Sequence, residues 1–134
     1  MRTSDRSSGD TFRRVARVGL ELPGVETAVR YDGTPLLKVA GCFMASLATH
    51  PSAEPDTLVV RADADERRLL LDEAPETYYL TDYYRKYPLV LARLSGLDRA
   101  ALRDLLAQSR RLTLAKPGAH RPRSPRPARD SRRG

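Results

Sequence analysis

Turn residues divide the middle of this chain into short apolar runs, and that division limits the possible folds more than any other feature. Residues 25–31 and 36–39 flank Asp32-Gly33-Thr34-Pro35, a strong hairpin signal between two strand-like runs. Gly41 separates the second run from residues 42–48, and a loop over 49–56 with Pro51 and Pro55 leads into residues 57–62. Four short strands in sequence predict an antiparallel meander. In the third, alternation places Phe43, Ala45 and Leu47 on one face and Cys42, Met44 and Ser46 on the other. The longest mostly apolar stretch, residues 39–48, has ten residues, about half of what a membrane-spanning helix requires.

Helical periodicity brackets the meander. Over 10–20, Phe12, Val15, Ala16 and Leu20 share a face, Asp10 is placed to cap the first turn, and Arg13, Arg14 and Arg17 lie off the apolar stripe. Pro23-Gly24 stops this helix. Asp63, with Glu66 three residues on, opens a second helix through Leu69 and Leu70 that must finish near Pro75. Residues 87–94 form a strand apolar on both faces, whose Pro88 belongs at its start or on an edge. Asp98 caps a last helix to about Arg111, with Leu102, Leu105 and Leu106 as the buried stripe. The order predicts an α+β fold: an antiparallel sheet of about five strands packed by helices on one side.

Charge is distributed unevenly. The chain of 134 residues carries 24 basic and 17 acidic residues, a formal +7. Residues 115–134 hold seven basic residues against Asp130, a net +6, which leaves 17 basic and 16 acidic residues in 1–114. That tail also contains Pro117, Pro122, Pro125 and Pro127 and little that is apolar, so burial cannot offset its ordering entropy and disorder is expected. Residues 1–9 are expected to form a second disordered end, leaving 10–114 as the folded domain. In the tail, Arg121, Arg123, Arg126, Arg129, Arg132 and Arg133 suit a sequence-blind grip on phosphates through counterion release. A solubilising terminus explains them equally, since 21 of the 24 basic residues are Arg throughout the chain. A lone Cys42 excludes an intramolecular disulfide, and with an N-terminal segment lacking an apolar core it points to the cytoplasm.

Several segments, in order, resemble the MmcQ/YjbR family. They are Leu22-Pro23-Gly24-Val25 after a short helix, Tyr31-Asp32-Gly33-Thr34-Pro35-Leu36-Leu37-Lys38-Val39, Gly41-Cys42-Phe43-Met44-Ala45-Ser46-Leu47, the block from Tyr79 to Pro88, and Leu102-Arg103-Asp104-Leu105-Leu106-Ala107-Gln108-Ser109. The resemblance covers roughly residues 10–114. It implies a frataxin-like α+β fold, also described as a double wing, and a DNA-binding role without a catalytic signature. Cys42 stands where the family often has lysine, and Tyr87 where it often has tryptophan. The missing lysine removes one potential phosphate contact.

Five of the six tyrosines, Tyr78, Tyr79, Tyr83, Tyr84 and Tyr87, fall within ten residues beside Arg85 and Lys86. Rings next to cations suit base stacking and backbone contacts, although packing with a wet hydroxyl is the plainer reading of such tyrosines. Arg85 and Lys86, with Tyr83 and Tyr84, are therefore the first nucleic-acid candidates, and Lys38 and Arg61 on expected strands are the second. Catalysis finds little support. No Gly-x-Gly pair occurs, His50 and His120 lie far apart, and Cys42 reads as a small buried hydrophobe rather than a partner of His50. Asp63, Asp65 and Glu66 lack the spacing of a calcium loop and read as a helix cap. The three arginines of the first helix argue against an iron-binding acidic ridge. No cofactor and no metal is expected. The reading is a non-enzymatic DNA-binding protein, with a protein-interaction module and a passive tail as the alternative.

Overall fold

A computed structural model describes residues 2–115, with side chains described from residue 9 onward. The tail arginines named above lie outside the described residues. The first helix, α1 (Arg2–Gly19), buries Phe12, Val15, Ala16 and Val18. It begins eight residues before the expected start at Asp10. Once residues 12–18 are docked, each further residue adds a hydrogen bond for one ordered residue, and no proline interrupts the segment. Asp10 consequently lies inside the helix and pairs with Arg13 at 3.3 Å instead of capping it. Leu20 is half exposed and Leu22 is buried in its place. The helix ends at Gly19, so helical spacing no longer governs the residues beyond. A Cβ on Gly19 would sit 2.6 Å from Leu37 Cδ1, so the missing side chain lets the helix end close against the sheet.

The strands are β1 (Val25–Val29), β2 (Pro35–Val39), β3 (Cys42–Leu47), β4 (Thr57–Arg61), β5 (Tyr78–Tyr79) and β6 (Leu89–Arg93). They form one antiparallel sheet in the order β1-β2-β3-β4-β6-β5. Six strands replace the expected five. The two-residue β5 is too short to give a periodic signal, and it pairs only with β6. Pro88 stands just before β6, where its missing N–H costs no ladder bond, and its carbonyl accepts from Ala62 N–H at 3.1 Å. Val90, Leu91 and Ala92 are fully buried, as expected of a strand covered on both faces.

A β-bulge corrects the expected alternation in β3. Leu37 pairs with Ala45 but Lys38 pairs with Phe43, so Met44 is the extra residue. Met44 and Ala45 both join the helix-side core, while Phe43 moves to the opposite face. The bulged carbonyl of Met44 accepts from Ser109 Oγ at 3.0 Å, a bond that ties the irregularity to the last helix.

Three helices follow β4. α2 (Ala64–Glu73) is capped by Asp63, which accepts from Glu66 N–H at 2.8 Å. α3 (Asp82–Arg85) is a single turn capped by Thr81. α4 (Arg99–Ala115) opens on Asp98, which accepts from Ala101 N–H, and it buries Leu102, Leu105, Leu106, Ser109 and Thr113. It runs one turn past Arg111 because Thr113, fully buried, continues the apolar stripe by returning its hydroxyl to Ser109 O. α1 and α4 pack on one face of the sheet, and the main core lies between them and the strands. The other face carries only a small cluster, Val59, Tyr84 and Leu91, under α3 and the loop after β3. Among the described residues no helix is long and apolar enough to cross a membrane.

Candidate functional site

The candidate site is the sheet face that α1 and α4 leave uncovered. Strand alternation fixes which side chains reach it. In β1 and β2, Val25, Leu37 and Val39 enter the helix-side core, so Glu26, Ala28, Leu36 and Lys38 belong to the opposite face. Phe43 and Ser46 join them from β3, Val59 and Arg61 from β4, and Leu89, Leu91 and Arg93 from β6. Arg30, just past β1, lies over the Phe43 ring at 5.7 Å and donates to Ser46 Oγ at 3.5 Å. The Arg61 Nε donates to Phe43 O at 3.1 Å, and the register sets Lys38 opposite Phe43. Phe43 therefore stands among three cations.

The aromatic half of the site comes from α3. Thr81 caps it and holds the turn, placing Tyr83 and Tyr84 toward the sheet and Tyr87 just beyond. Tyr84 is buried, and its hydroxyl accepts from His50 N–H at 3.1 Å. Tyr83 stacks on the His50 ring with centroids 3.6 Å apart and planes within 9°. The His50 ring is itself held: Nδ1 accepts from Ser52 N–H at 3.1 Å, and Ser52 Oγ reaches Thr81 Oγ1 at 2.9 Å. This loop brace fixes Tyr83 from behind. Tyr87 tilts against Tyr83 at 5.9 Å, and the Lys86 ammonium sits 5.3 Å and 5.7 Å from the two ring centroids. The adjacent Tyr87 phenol pushes the Tyr83 hydroxyl above the ordinary tyrosine range, with burial as a lesser cause.

Between the two halves lies a cleft of about 260 Å³, lined by Arg30, Phe43, Ser46, Val59, Tyr83 and Tyr87 among others. None of Arg30, Lys38, Arg61 and Lys86 makes an ion pair among the described residues. Glu26, opposite Lys38, is the single carboxylate that the strands present on this face. Arg93 is different. It is bound bidentately to Glu54 at 2.8 Å on both oxygens, lies 4.2 Å from the Tyr79 ring centroid, and donates to Glu76 O at 3.1 Å. Its charge is used inside the fold.

The sequence-derived candidates separate accordingly. Lys38, Arg61, Tyr83 and Lys86 converge on the open face. Tyr84 is buried against Val59 and Leu91 and also lines the cleft. Arg85 approaches Asp82 at 3.9 Å, and its carbonyl accepts from Arg67. Arg30 and Phe43 escaped the sequence reading. The even-numbered series 26, 28, 30 points to Arg30, whereas no local signal announces the bulge that turns Phe43 to this face. Among the described residues no group of three His, Cys, Asp or Glu is placed to hold a metal. His50 Nδ1 is engaged by Ser52 of its own loop. No family model matches the chain, and neither does any curated protein or solved structure.

Proposed function

We propose that this chain is a non-enzymatic DNA-binding protein that contacts phosphates without reading sequence, using the open sheet face as its interface. One observation carries the reading: Arg30, Lys38, Arg61 and Lys86, which make no salt bridge among the described residues, gather around Phe43, Tyr83 and Tyr87. Unpaired cations on a rigid surface suit a polyanion, since each phosphate they neutralise releases condensed counterions. Three of the four project from or beside strands of the sheet, so they are held apart along a surface, as a phosphate backbone requires. Among the described residues no recognition helix with base-reading side chains can be picked out, in keeping with contacts that do not read sequence. The resemblance to the MmcQ/YjbR family and its frataxin-like fold points the same way, and the +6 tail adds further nonspecific attraction.

Fluorescence anisotropy on labelled DNA across a salt series tests this. Affinity should fall steeply with salt, and Lys38→Ala with Lys86→Ala should flatten the log–log slope by about 2, at 0.9 per lost phosphate contact. An unchanged slope removes the open face from the interface. Half-exposed Tyr83 and Tyr87 favour the second reading, a protein partner, because such rings commonly anchor protein interfaces. Absence of DNA binding at low salt selects it.

A further inference from the structure

Resting on the DNA-binding reading, we infer that the cleft between Phe43 and the Tyr83–Tyr87 pair receives one unstacked base, so that the preferred ligand is single-stranded rather than duplex. The argument is one of shape. A duplex keeps its bases stacked inside and offers a protein two grooves and a phosphate backbone, which protruding elements reach. This surface does the reverse: it is recessed, with about 260 Å³ of space walled by rings and floored by Val59 and Ser46. Only a thin, flat group projecting from the nucleic acid enters such a recess, and a base released from its stack is that group.

The chemistry of the walls agrees. Tyr83 is already stacked on His50, so its plane is set before any ligand arrives. Tyr87 beside it is 41% exposed, so aromatic surface remains available at the cleft wall. Ser46, one of the polar groups that line the cleft, has its hydroxyl 3.5 Å from Arg30 and 3.2 Å from Leu47 O. Arg30 lies over the Phe43 ring on one side and Lys86 beside the two tyrosines on the other. A strand that places a base between them brings its flanking phosphates toward both cations. Stacking of this kind tolerates any base, consistent with the missing sequence readout.

The test uses the full chain and two fluorescein-labelled probes, a twelve-nucleotide thymidine strand and a duplex of equal length, at one salt concentration. The single strand should bind at least tenfold tighter. Tyr87→Ala should lower single-strand affinity about tenfold, far more than duplex affinity, with the thermal midpoint recorded to show that the variant folds. The chain has no tryptophan, and three of its six tyrosines line the cleft, so the single strand should partly quench intrinsic tyrosine fluorescence and the duplex should not. Equal affinity for both probes, or a Tyr87→Ala variant that binds the strand normally, overturns the base-in-cleft inference while the DNA-binding reading stands. Failure of both probes to bind overturns the two together.

Discussion

The two faces of the sheet are built from alternate residues of the same strands, yet they are packed on different principles. On the helix side, Leu37, Met44, Leu58, Val60, Val90, Leu102 and Leu106 are each fully buried in one continuous core. On the open side only Val59, Tyr84 and Leu91 form a buried cluster, ringed by partly exposed aromatic and cationic side chains. A sheet of this size needs one apolar face to pay for its order, and the helix side supplies it. The second face is then free to hold groups that the core does not require: four cations with no salt bridge among the described residues, half-exposed rings and a cleft. Substitutions on the two faces should therefore separate into changes of stability and changes of binding.

The largest expected effect breaks the helix side. Leu37 is fully buried and touches both Gly19 of α1 and the core under α4. Leu37→Ala should cost about 2–5 kcal/mol, the transfer term plus the cavity left behind. Urea unfolding followed by circular dichroism should show a large fall in the midpoint. DNA affinity measured well below the transition should not change. If affinity falls with stability, the two faces are not separable and the comparison fails.

A smaller effect tests the one cation of the open face that belongs to the fold. Arg93 joins the Glu54 carboxylate to the carbonyls before β5 and covers the Tyr79 ring. Its carbonyl bonds and ring contact should make Arg93→Ala cost about 1–2 kcal/mol, with the salt slope of DNA binding unchanged. The Arg93 hydrogen bond also holds the Glu54 carboxyl below the usual carboxylate range. A depressed value in the folded state stabilises at pH above the unfolded value, and that contribution is lost as pH falls through the folded value. Glu54→Gln should therefore lower the urea midpoints at neutral and basic pH and flatten the acid limb, so that the two proteins converge at low pH. An unchanged acid limb shows that the pair does not contribute. Asp32, similarly lowered by the Thr34 N–H in the β1–β2 turn, keeps its own share of the acid dependence in both proteins.

The architecture was largely legible because it is written in local signals. Asp32-Gly33 and Gly41 mark the turns, Asp63 and Asp98 mark two helix starts, and Leu102, Leu105 and Leu106 mark a buried stripe. What stayed hidden depends on tertiary contact. The first eight residues of α1 extend a helix whose docked part lies further on. β5 exists only because β6 is there to pair with it. The bulge at Met44 leaves no trace in composition, yet it decides that Phe43 and not Met44 enters the candidate site. Lys38, Arg61, Tyr83 and Lys86 were found by type and rough position. Tyr84 was not separable from Tyr83 by sequence: both line the cleft from adjacent positions on one turn, but Tyr84 is buried with Val59 and Leu91 while Tyr83 stays partly exposed.

The smallest effect sharpens the comparison, because it concerns a residue that belongs to neither face. Ala40 and Gly41 link β2 to β3 with φ of 52° and 77°, the two positive values that a type I′ hairpin demands. Gly41 adopts this conformation freely, but at Ala40 the Cβ crowds the following carbonyl, a strain of about 1 kcal/mol. Asparagine tolerates that region and leads Gly in the most common form of this turn. Ala40→Asn should therefore raise stability by about 0.5–1 kcal/mol, read as a higher urea midpoint with an unchanged slope. The turn also sets the pairing of Val39 with Cys42, and through it the position of Lys38 opposite Phe43. A stabilised turn keeps that register, so DNA affinity should be unchanged. Loss of affinity in a more stable Ala40→Asn variant would mean that the hairpin end itself contacts the ligand, and the interface would then extend past the open face to the β2–β3 edge.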